Sequence, residues 1–244
     1  MDQISLIAAS GMRANLQSLD LLANNMANTS TNGYKGDSEF HTVFVSEAAD
    51  ESDVEPTTLP MIERHWTDFS QGTLEPTSNP LDFGLTGKGF FAVQGPSGTL
   101  YTRNGSFQMS SSGTLNTRDG YPLLDQNGQP LKLLKPGAPV VVSPDGTVQQ
   151  DGQPVGKLQF VDFKEPGALL KHGGNYFENS TGAKPVTPDS ATVAQGKVET
   201  SNVNAAHGAV RLVNVMRQFE VMQKAISIAN EMGREAIEQV AKIS

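Results

Sequence analysis

The sequence predicts an α+β protein in which long N- and C-terminal α-helices form a coiled-coil-like stem and a central region forms an antiparallel all-β domain. Near both ends of the chain, small or apolar residues recur at steps of three and four, the spacing of a helical seam. Between them, short β-rich runs alternate with Asn-Gly and Asp-Gly turn signals. We therefore expect four segments: 1–36, N-terminal helix and loop; 37–84, extended acidic arm or linker; 85–195, central β domain; and 196–244, C-terminal heptad helix.

The C-terminal helix is predicted over 205–243 by an unbroken heptad pattern. At 1.5 Å per residue it would be about 58 Å long, which exceeds the size of any compact domain that this chain could build. A helix of that length favours packing against other helices over burial in one core. We expect its seam to be an assembly interface formed by Leu212, Val215, Phe219, Met222, Ile226, Ala229, Gly233, Ala236 and Val240.

A second amphipathic helix is predicted from Gln3 to Asn28. Matching seams predict that the two terminal helices pair antiparallel, with ends that stay poorly ordered until the subunit assembles. The expected interface residues on the N-terminal helix are Met12, Leu16, Leu19, Ala23, Asn24, Asn25, Met26 and Asn28. The asparagine amides both donate and accept hydrogen bonds, so they can fix the register of packed helices. The alternative is that they only end the helix before Gly33.

Charge is concentrated in one part of the chain. The net charge is −8, and residues 41–84 carry one basic and nine acidic residues, which also amounts to −8. The acidic stretch at 47–55 has too few large apolar residues for a core and is expected to be extended. No region is basic enough to follow a phosphate backbone, so we expect no nucleic-acid partner.

The sequence offers no candidate catalytic, cofactor-binding or metal-binding residues. There is no cysteine, which excludes disulfides, thiolate zinc sites and thiol catalysis. The four histidines lack metal-ligand spacing, and the glycine-rich run at 84–89 departs from the phosphate-loop pattern. We therefore expect a non-enzyme without cofactor or small-molecule substrate. The N-terminus lacks the features of a signal peptide, and no run is apolar enough to span a membrane, so we expect export without a cleaved signal.

Several motifs then resemble one family in the right order. The stretch LANNMANTSTNGYK at 22–35 resembles the N-terminal signature of bacterial flagellar rod and hook axial proteins. Supporting stretches are SNPLD at 78–82 followed by GKGFF at 87–91, YTRNGSF at 101–107, and GKVETSNVN at 196–204 followed by RQFE at 217–220. The resemblance implies subunits exported through the flagellar type III apparatus. It also implies helical stacking with copies of themselves and other rod proteins around a channel that crosses the periplasm.

Within that family, the chain is much shorter than a hook subunit. Its opening Met1-Asp2 and its RQFE form resemble proximal more than distal rod proteins, so a distal rod or short hook-type subunit is an alternative. A third hypothesis, from another class, is a cell-wall-binding β module on an oligomerising stem. Such a module would need clustered surface aromatics, whereas Phe90, Phe91 and Tyr101 alternate as core residues do.

Overall fold

A computed structural model describes residues 3–45, 58–136, 138–188 and 190–243, with the side chains of 3–7, 41–45, 58–64, 168, 236, 237 and 239–243 left out of that description. The chain forms two compact units. Unit 1 consists of Met1–Ala27, Asp37–Thr67 and Asn204–Ser244, and unit 2 of Asn28–Gly36 and Asp68–Val203. The predicted class is confirmed, since two terminal helices accompany a mostly antiparallel β domain. The four predicted segments are grouped differently, because each unit takes residues from several of them.

Unit 1 is built from two helices and a two-stranded ribbon: α1 (Gln3–Ala27), β1 (Asp37–Val45), β2 (Thr58–Thr67) and α2 (Ala205–Ile243). The helices run antiparallel, because the Asn15 amide contacts the Met222 sulfur at 3.5 Å whereas Met26 packs on Gly208. The Asn204 side chain caps α2 by accepting the His207 N–H at 3.0 Å. Among the described residues, neither helix combines the length and apolar character that a membrane span requires.

The ribbon replaces much of the extended arm expected over 37–84. β1 and β2 pair antiparallel from Asp37↔Thr67 to Val45↔Thr58, with a register shift after Phe40. The physical reason is β propensity: valine, threonine and phenylalanine alternate on both sides of the acidic stretch, and such residues favour a paired strand. The acidic stretch itself, 47–55, lies outside the described residues.

Unit 2 consists of short strands. They are β3 (Leu74–Pro76), β4 (Phe83–Thr86), β5 (Phe90–Gln94), β6 (Thr99–Thr102), β7 (Phe107–Met109), β8 (Leu115–Thr117), β9 (Val140–Val142), β10 (Thr147–Gln150), β11 (Gln153–Lys157), β12 (Phe160–Val161), β13 (Leu169–Lys171), β14 (Tyr176–Asn179), β15 (Thr192–Gln195) and β16 (Lys197–Glu199). They form a five-stranded sheet, β12-β5-β6-β14-β13, a three-stranded sheet, β11-β10-β9, and the pairs β15-β4, β16-β3 and β7-β8. The larger core includes Phe83, Phe91 and Leu123, and a second core includes Phe90, Tyr101 and Phe177.

One buried tyrosine makes the stability of unit 2 depend on alkaline pH. The Tyr176 hydroxyl donates a 2.6 Å hydrogen bond to Asp119. Burial, and next the hydrogen bond to Asp119, raise the pKa of Tyr176 above its ordinary value. The unfolded chain therefore loses this proton first, near pH 10, and the stability that the group contributes is lost as pH rises above that value.

Replacing Tyr176 with phenylalanine should flatten this loss. We expect the variant to cost about 1 kcal/mol at neutral pH, where the hydrogen bond is lost, and to lose less further stability than the parent chain between about pH 8 and about pH 11. Burial also raises the pKa of Tyr101, so part of the slope should remain. Urea unfolding at several pH values measures both effects, and an unchanged slope would contradict the assignment.

Candidate functional site

Three sequence motifs meet at a buried ion cluster in unit 2. Lys35 comes from the N-terminal motif, Arg103 from the YTRNGSF stretch and Glu199 from the VETSN stretch. The Lys35 ammonium lies 2.5 Å from one carboxylate oxygen of Glu199, and the Arg103 guanidinium lies 3.1 Å from the other. The side chains of Lys35 and Glu199 are 0% exposed. The cluster therefore joins three distant segments of the chain inside one unit.

Backbone groups satisfy most of the remaining hydrogen-bonding capacity of the ion cluster. Lys35 donates to the Ser70 carbonyl at 2.5 Å, and Arg103 donates to the Gly87 carbonyl at 2.7 Å. The Gly72 N–H donates to the Glu199 carboxylate at 2.8 Å. With three donors on its oxygens, this carboxylate is suited to holding chain segments and unsuited to acting as a base or nucleophile.

Two cations share one carboxylate in this buried place. Burial lowers the pKa of the Lys35 ammonium below its ordinary value, and the neighbouring Glu199 carboxylate opposes the shift. Burial also lowers the pKa of the Arg103 guanidinium, again opposed by Glu199. The Arg103 ring of charge also lies over Phe90, 5.4 Å from the ring centre. Glu199 is thus the group whose charge makes burial of both cations tolerable.

The turn that precedes Lys35 is fixed by the same part of the chain. The Gly33 N–H donates to the Glu199 backbone carbonyl at 2.7 Å, and Gly33 has φ of +68°, a conformation that favours glycine. A Cβ atom at this position would overlap the backbone of Arg103 and Asn104. The Asn175 amide donates to the Asn32 carbonyl at 2.7 Å. The Asn-Gly step is therefore required by a close approach of two backbones.

Asn202 closes the C-terminal side of this region. Its side-chain oxygen accepts the Gly36 N–H at 2.8 Å, and its amide nitrogen donates to the Asp68 carbonyl at 2.8 Å. Its own backbone N–H donates to the Tyr34 carbonyl at 3.3 Å. One side chain thus holds together the N-terminal motif, the segment after β2 and the C-terminal motif, all within unit 2.

In unit 1, polar contacts tie the ribbon to both helices. The Glu39 carboxylate, whose side chain is 1% exposed, accepts the Ser18 hydroxyl at 2.7 Å and the Arg211 guanidinium at 2.6 Å. The Asn25 amide accepts the Asp37 N–H at 2.9 Å and donates to the Asp37 carbonyl at 2.7 Å. Asn25, which was expected at an assembly interface, is buried and uses its amide within the chain.

The expected seam on α2 lies on the side of this helix that packs within unit 1. Val215 and Ala229 are buried, and the other described seam residues are half-buried: Leu212, Phe219, Met222, Ile226 and Gly233. Ala236 and Val240 lie outside the residues whose side chains are described. Because α1 runs along α2, much of this seam is used inside a single chain.

The expected seam on α1 lies mostly on a different side from the one the helix buries. Leu16 is 47% exposed, Ala23 and Asn24 are exposed, and Met12, Leu19 and Met26 are half-buried. The buried side of α1 instead carries Ala8, Gly11, Ala14, Asn15, Ser18, Leu22 and Asn25. Asn28 lies in the turn after α1, in unit 2, and accepts the Thr31 hydroxyl at 3.1 Å. The outer seam of α1 therefore remains at the surface of the chain.

Sequence reasoning missed two features of these surfaces. The first is the ion cluster, because Lys35, Arg103 and Glu199 are far apart in sequence; the one available signal was that each lies inside a motif stretch. The second is a row of exposed apolar residues on the outer side of α2, where only charged residues were noticed. Its members include Val210 at 63% exposure, Val221 at 66%, Ile228 at 58% and Met232 at 65%.

No metal site accompanies these clusters: the described part of the chain has no group of three histidine, aspartate or glutamate side chains arranged to hold an ion. The ion cluster and the helix surfaces are thus the features that a function has to explain.

Comparison with known families matches three separate parts of the chain. Residues 6–35 match the model described as flagella basal body rod protein. Residues 84–150 match the flagellar hook protein FlgE/F/G D1 domain, and residues 194–239 match the flagellar basal body rod FlgEFG protein C-terminal model. These ranges contain Lys35, Arg103 and Glu199 respectively, so each member of the ion cluster lies in a different family segment.

Curated relatives match the chain over its length. It is 31% identical to the flagellar basal-body rod protein FlgF of Caulobacter vibrioides, over all of both chains. It is also 31% identical to FlgF of Mesorhizobium japonicum, over 92% of this chain and 94% of the relative. Identity to FlgG of Buchnera aphidicola subsp. Schizaphis graminum is 33%, over 93% and 95% of the two chains. The chain belongs to the family of flagellar basal-body rod proteins.

Proposed function

We propose that this structural rod protein polymerises helically through its terminal helices, and that the polymer is the drive shaft and export channel of the basal body. The observation that carries the proposal is the apolar surface left on the outer sides of both helices, where Leu16, Val221 and Ile228 are each about half exposed or more. Large exposed apolar side chains in a row along one face mark an interaction surface. In this proposal the helices form the coiled-coil-like stem of a packed wall.

The two outer surfaces differ from each other, which determines the kind of assembly. On α1 the outer residues are mainly alanine with Leu16, whereas on α2 they are valine, isoleucine and methionine. When one surface of a subunit meets a different surface of the next, the contact is heterologous and continues as an open helix unless it closes into a ring. A rod of indefinite stacking requires such a contact.

Unit 2 has a supporting role in this proposal. Its ion cluster fixes the N- and C-terminal motifs against the β domain, and these motifs lead directly into α1 and α2 along the chain. We infer a structural and not a catalytic role, with other copies, other rod proteins and the type III export apparatus as partners. Location in the periplasmic rod, and export without a cleaved signal peptide, are part of the same proposal.

The comparisons do not favour the alternative of a cell-wall-binding β module. The aromatics that such a module would need at its surface are buried, with Phe91 at 0% exposure, Phe90 at 3% and Tyr101 at 7%. They pack in the two cores of unit 2.

A substitution on the outer face of α2 tests the proposal. Val221→Asp should block rod assembly and swimming because a charge would be buried in a subunit contact, while the free chain should unfold as the parent does because Val221 is exposed. Gln223→Asp adds the same charge at an exposed position on another side of the helix and should leave swimming intact. Motility in soft agar and isolation of basal bodies are the measurements. Normal swimming with Val221→Asp would refute the proposal.

A further inference from the structure

We propose that α1 of a second copy of this chain packs antiparallel on the outer face of α2, in one defined register. The inference rests on the proposed polymerisation and adds the partner element, its direction and its register. The outer stripe of α2 is defined here as Val210, Val221, Ile228 and Met232, and the outer stripe of α1 as Ala9, Leu16, Ala23 and Ala27. All eight residues are exposed in the single chain.

The two stripes have complementary shapes. Spacings of seven, eleven and four residues place each stripe along one side of its helix. The α1 stripe consists of alanines and one leucine, so another helix can approach it closely. The α2 stripe consists of larger side chains, with Val221 66% and Met232 65% exposed. Large side chains on one helix therefore have small residues to pack over on the other.

Charges beside the stripes select the direction of packing. Arg13 and Asp20 lie seven residues apart near the α1 stripe, and Lys224 and Glu231 lie seven residues apart near the α2 stripe; all four are exposed. An antiparallel register with Leu16 level with Ile228 aligns Asp20 with Lys224 and Arg13 with Glu231.

The same antiparallel register brings Ala23 level with Val221. A parallel arrangement would instead place Arg13 level with Lys224 and Asp20 level with Glu231. Because like charges at an interface oppose the wrong arrangement, the antiparallel direction is favoured.

Propagation requires the same direction. Within one chain, α1 and α2 are antiparallel, as the contacts of Asn15 with Met222 and of Met26 with Gly208 show. If α2 also meets the α1 of the next copy antiparallel, that copy has the same orientation as the first. Repetition then gives a continuous layer of alternating helices with every subunit pointing one way. A parallel contact would invert each successive subunit and could not build a rod with one polarity.

Cysteine cross-linking tests the register, and the natural chain has no cysteine to interfere. The double variant Leu16→Cys with Ile228→Cys replaces the native copy in flagellated cells, and swimming before oxidation shows that the subunit has assembled. Oxidation should then give a ladder of disulfide-linked oligomers that neither single variant gives, since a disulfide requires Cα atoms within about 7 Å. Swimming cells that yield no ladder would overturn the register.

The matched control is Ala9→Cys with Val221→Cys. This pair is nearly level in the parallel arrangement, but in the antiparallel register the two positions are fourteen residues apart along the helix, about 21 Å. It should yield no ladder, and a ladder from this pair would overturn the antiparallel direction.

A charge exchange gives a second readout that does not depend on disulfide geometry. Asp20→Lys alone and Lys224→Glu alone should each reduce the fraction of swimming cells several-fold, and the double variant should restore it to near the parent level. A double variant that swims no better than the single variants would overturn the pairing. If Val221→Asp blocks swimming but the exchange does not restore it, the register fails while the proposed function stands; normal swimming with Val221→Asp would refute the function itself.

Discussion

Replacing Glu199 with glutamine is expected to destabilise unit 2 by about 3–5 kcal/mol. The substitution keeps the size of the side chain but removes the one carboxylate that lies between the Lys35 and Arg103 side chains, at 2.5 and 3.1 Å. Two buried cations would then face each other without compensation. Burial already lowers the pKa of both, so loss of the carboxylate should push Lys35 towards its neutral form.

The two units can be followed separately in the full chain. The single tryptophan, Trp66, lies in unit 1, whereas all four tyrosines lie in unit 2. Urea unfolding monitored by the near-ultraviolet circular dichroism of tyrosine should therefore show the loss in the Glu199→Gln variant. Glu178→Gln is the matched control, because Glu178 lies in the same unit with its side chain 53% exposed; it should change stability by less than about 0.5 kcal/mol. Equal midpoints for the two variants would contradict the role of Glu199.

Replacing Gly33 with alanine is expected to cost about 2–4 kcal/mol. Part of the cost is the left-handed backbone, with φ of +68°. The larger part is the overlap of the new Cβ with the backbone of Arg103 and Asn104, which neither segment can relieve cheaply because both are main chain. The shift should also strain the hydrogen bond from Gly33 to the Glu199 carbonyl.

Gly128 separates these two contributions. It has nearly the same backbone angle, φ of +73°, but a Cβ there would meet no atom within 4 Å. Gly128→Ala should therefore cost only the conformational term, about 1–2 kcal/mol. Urea unfolding of both variants, followed by the tyrosine signal, measures the difference. Equal losses would mean that the close approach of the 33 and 104 backbones is unimportant.

Local periodicity in the sequence predicted the elements that repeat locally. The heptad pattern predicted a helix over 205–243, and α2 spans Ala205–Ile243. The pattern from Gln3 predicted a helix to Asn28, and α1 ends at Ala27. Turn signals predicted the antiparallel β domain. These predictions succeeded because hydrogen bonds within a helix or hairpin join residues that are close in sequence.

Features that depend on distant residues were not predictable in this way. The ion cluster joins positions 35, 103 and 199, and no composition or spacing rule links them. The ribbon was missed because the acidity of the stretch between its strands outweighed the β-favouring residues on either side. The side of α1 that is buried was also misassigned by the seam, since the helix packs on its row of small residues and on Asn25.

The α2 surface shows a related difficulty. Its seam is correctly the apolar side that faces α1, but apolar residues on the outer side are interspersed with Arg217 and Lys224 and were hidden by them. Which apolar stripe faces its own chain and which faces a partner depends on tertiary packing, because both have helical spacing.

Amide hydrogen exchange on the purified chain tests most directly whether the family motifs fix the fold while the helices await partners. The N–H groups of Gly33, Thr200 and Asn202 donate within unit 2, at 2.7, 2.8 and 3.3 Å, and should exchange as slowly as the core strands of that unit. Amides of α1 and α2 should exchange faster, because their outer faces are exposed. Rapid exchange at Gly33, Thr200 and Asn202 while the core strands remain protected, or helices as protected as the core in a monomer, would contradict this division of roles.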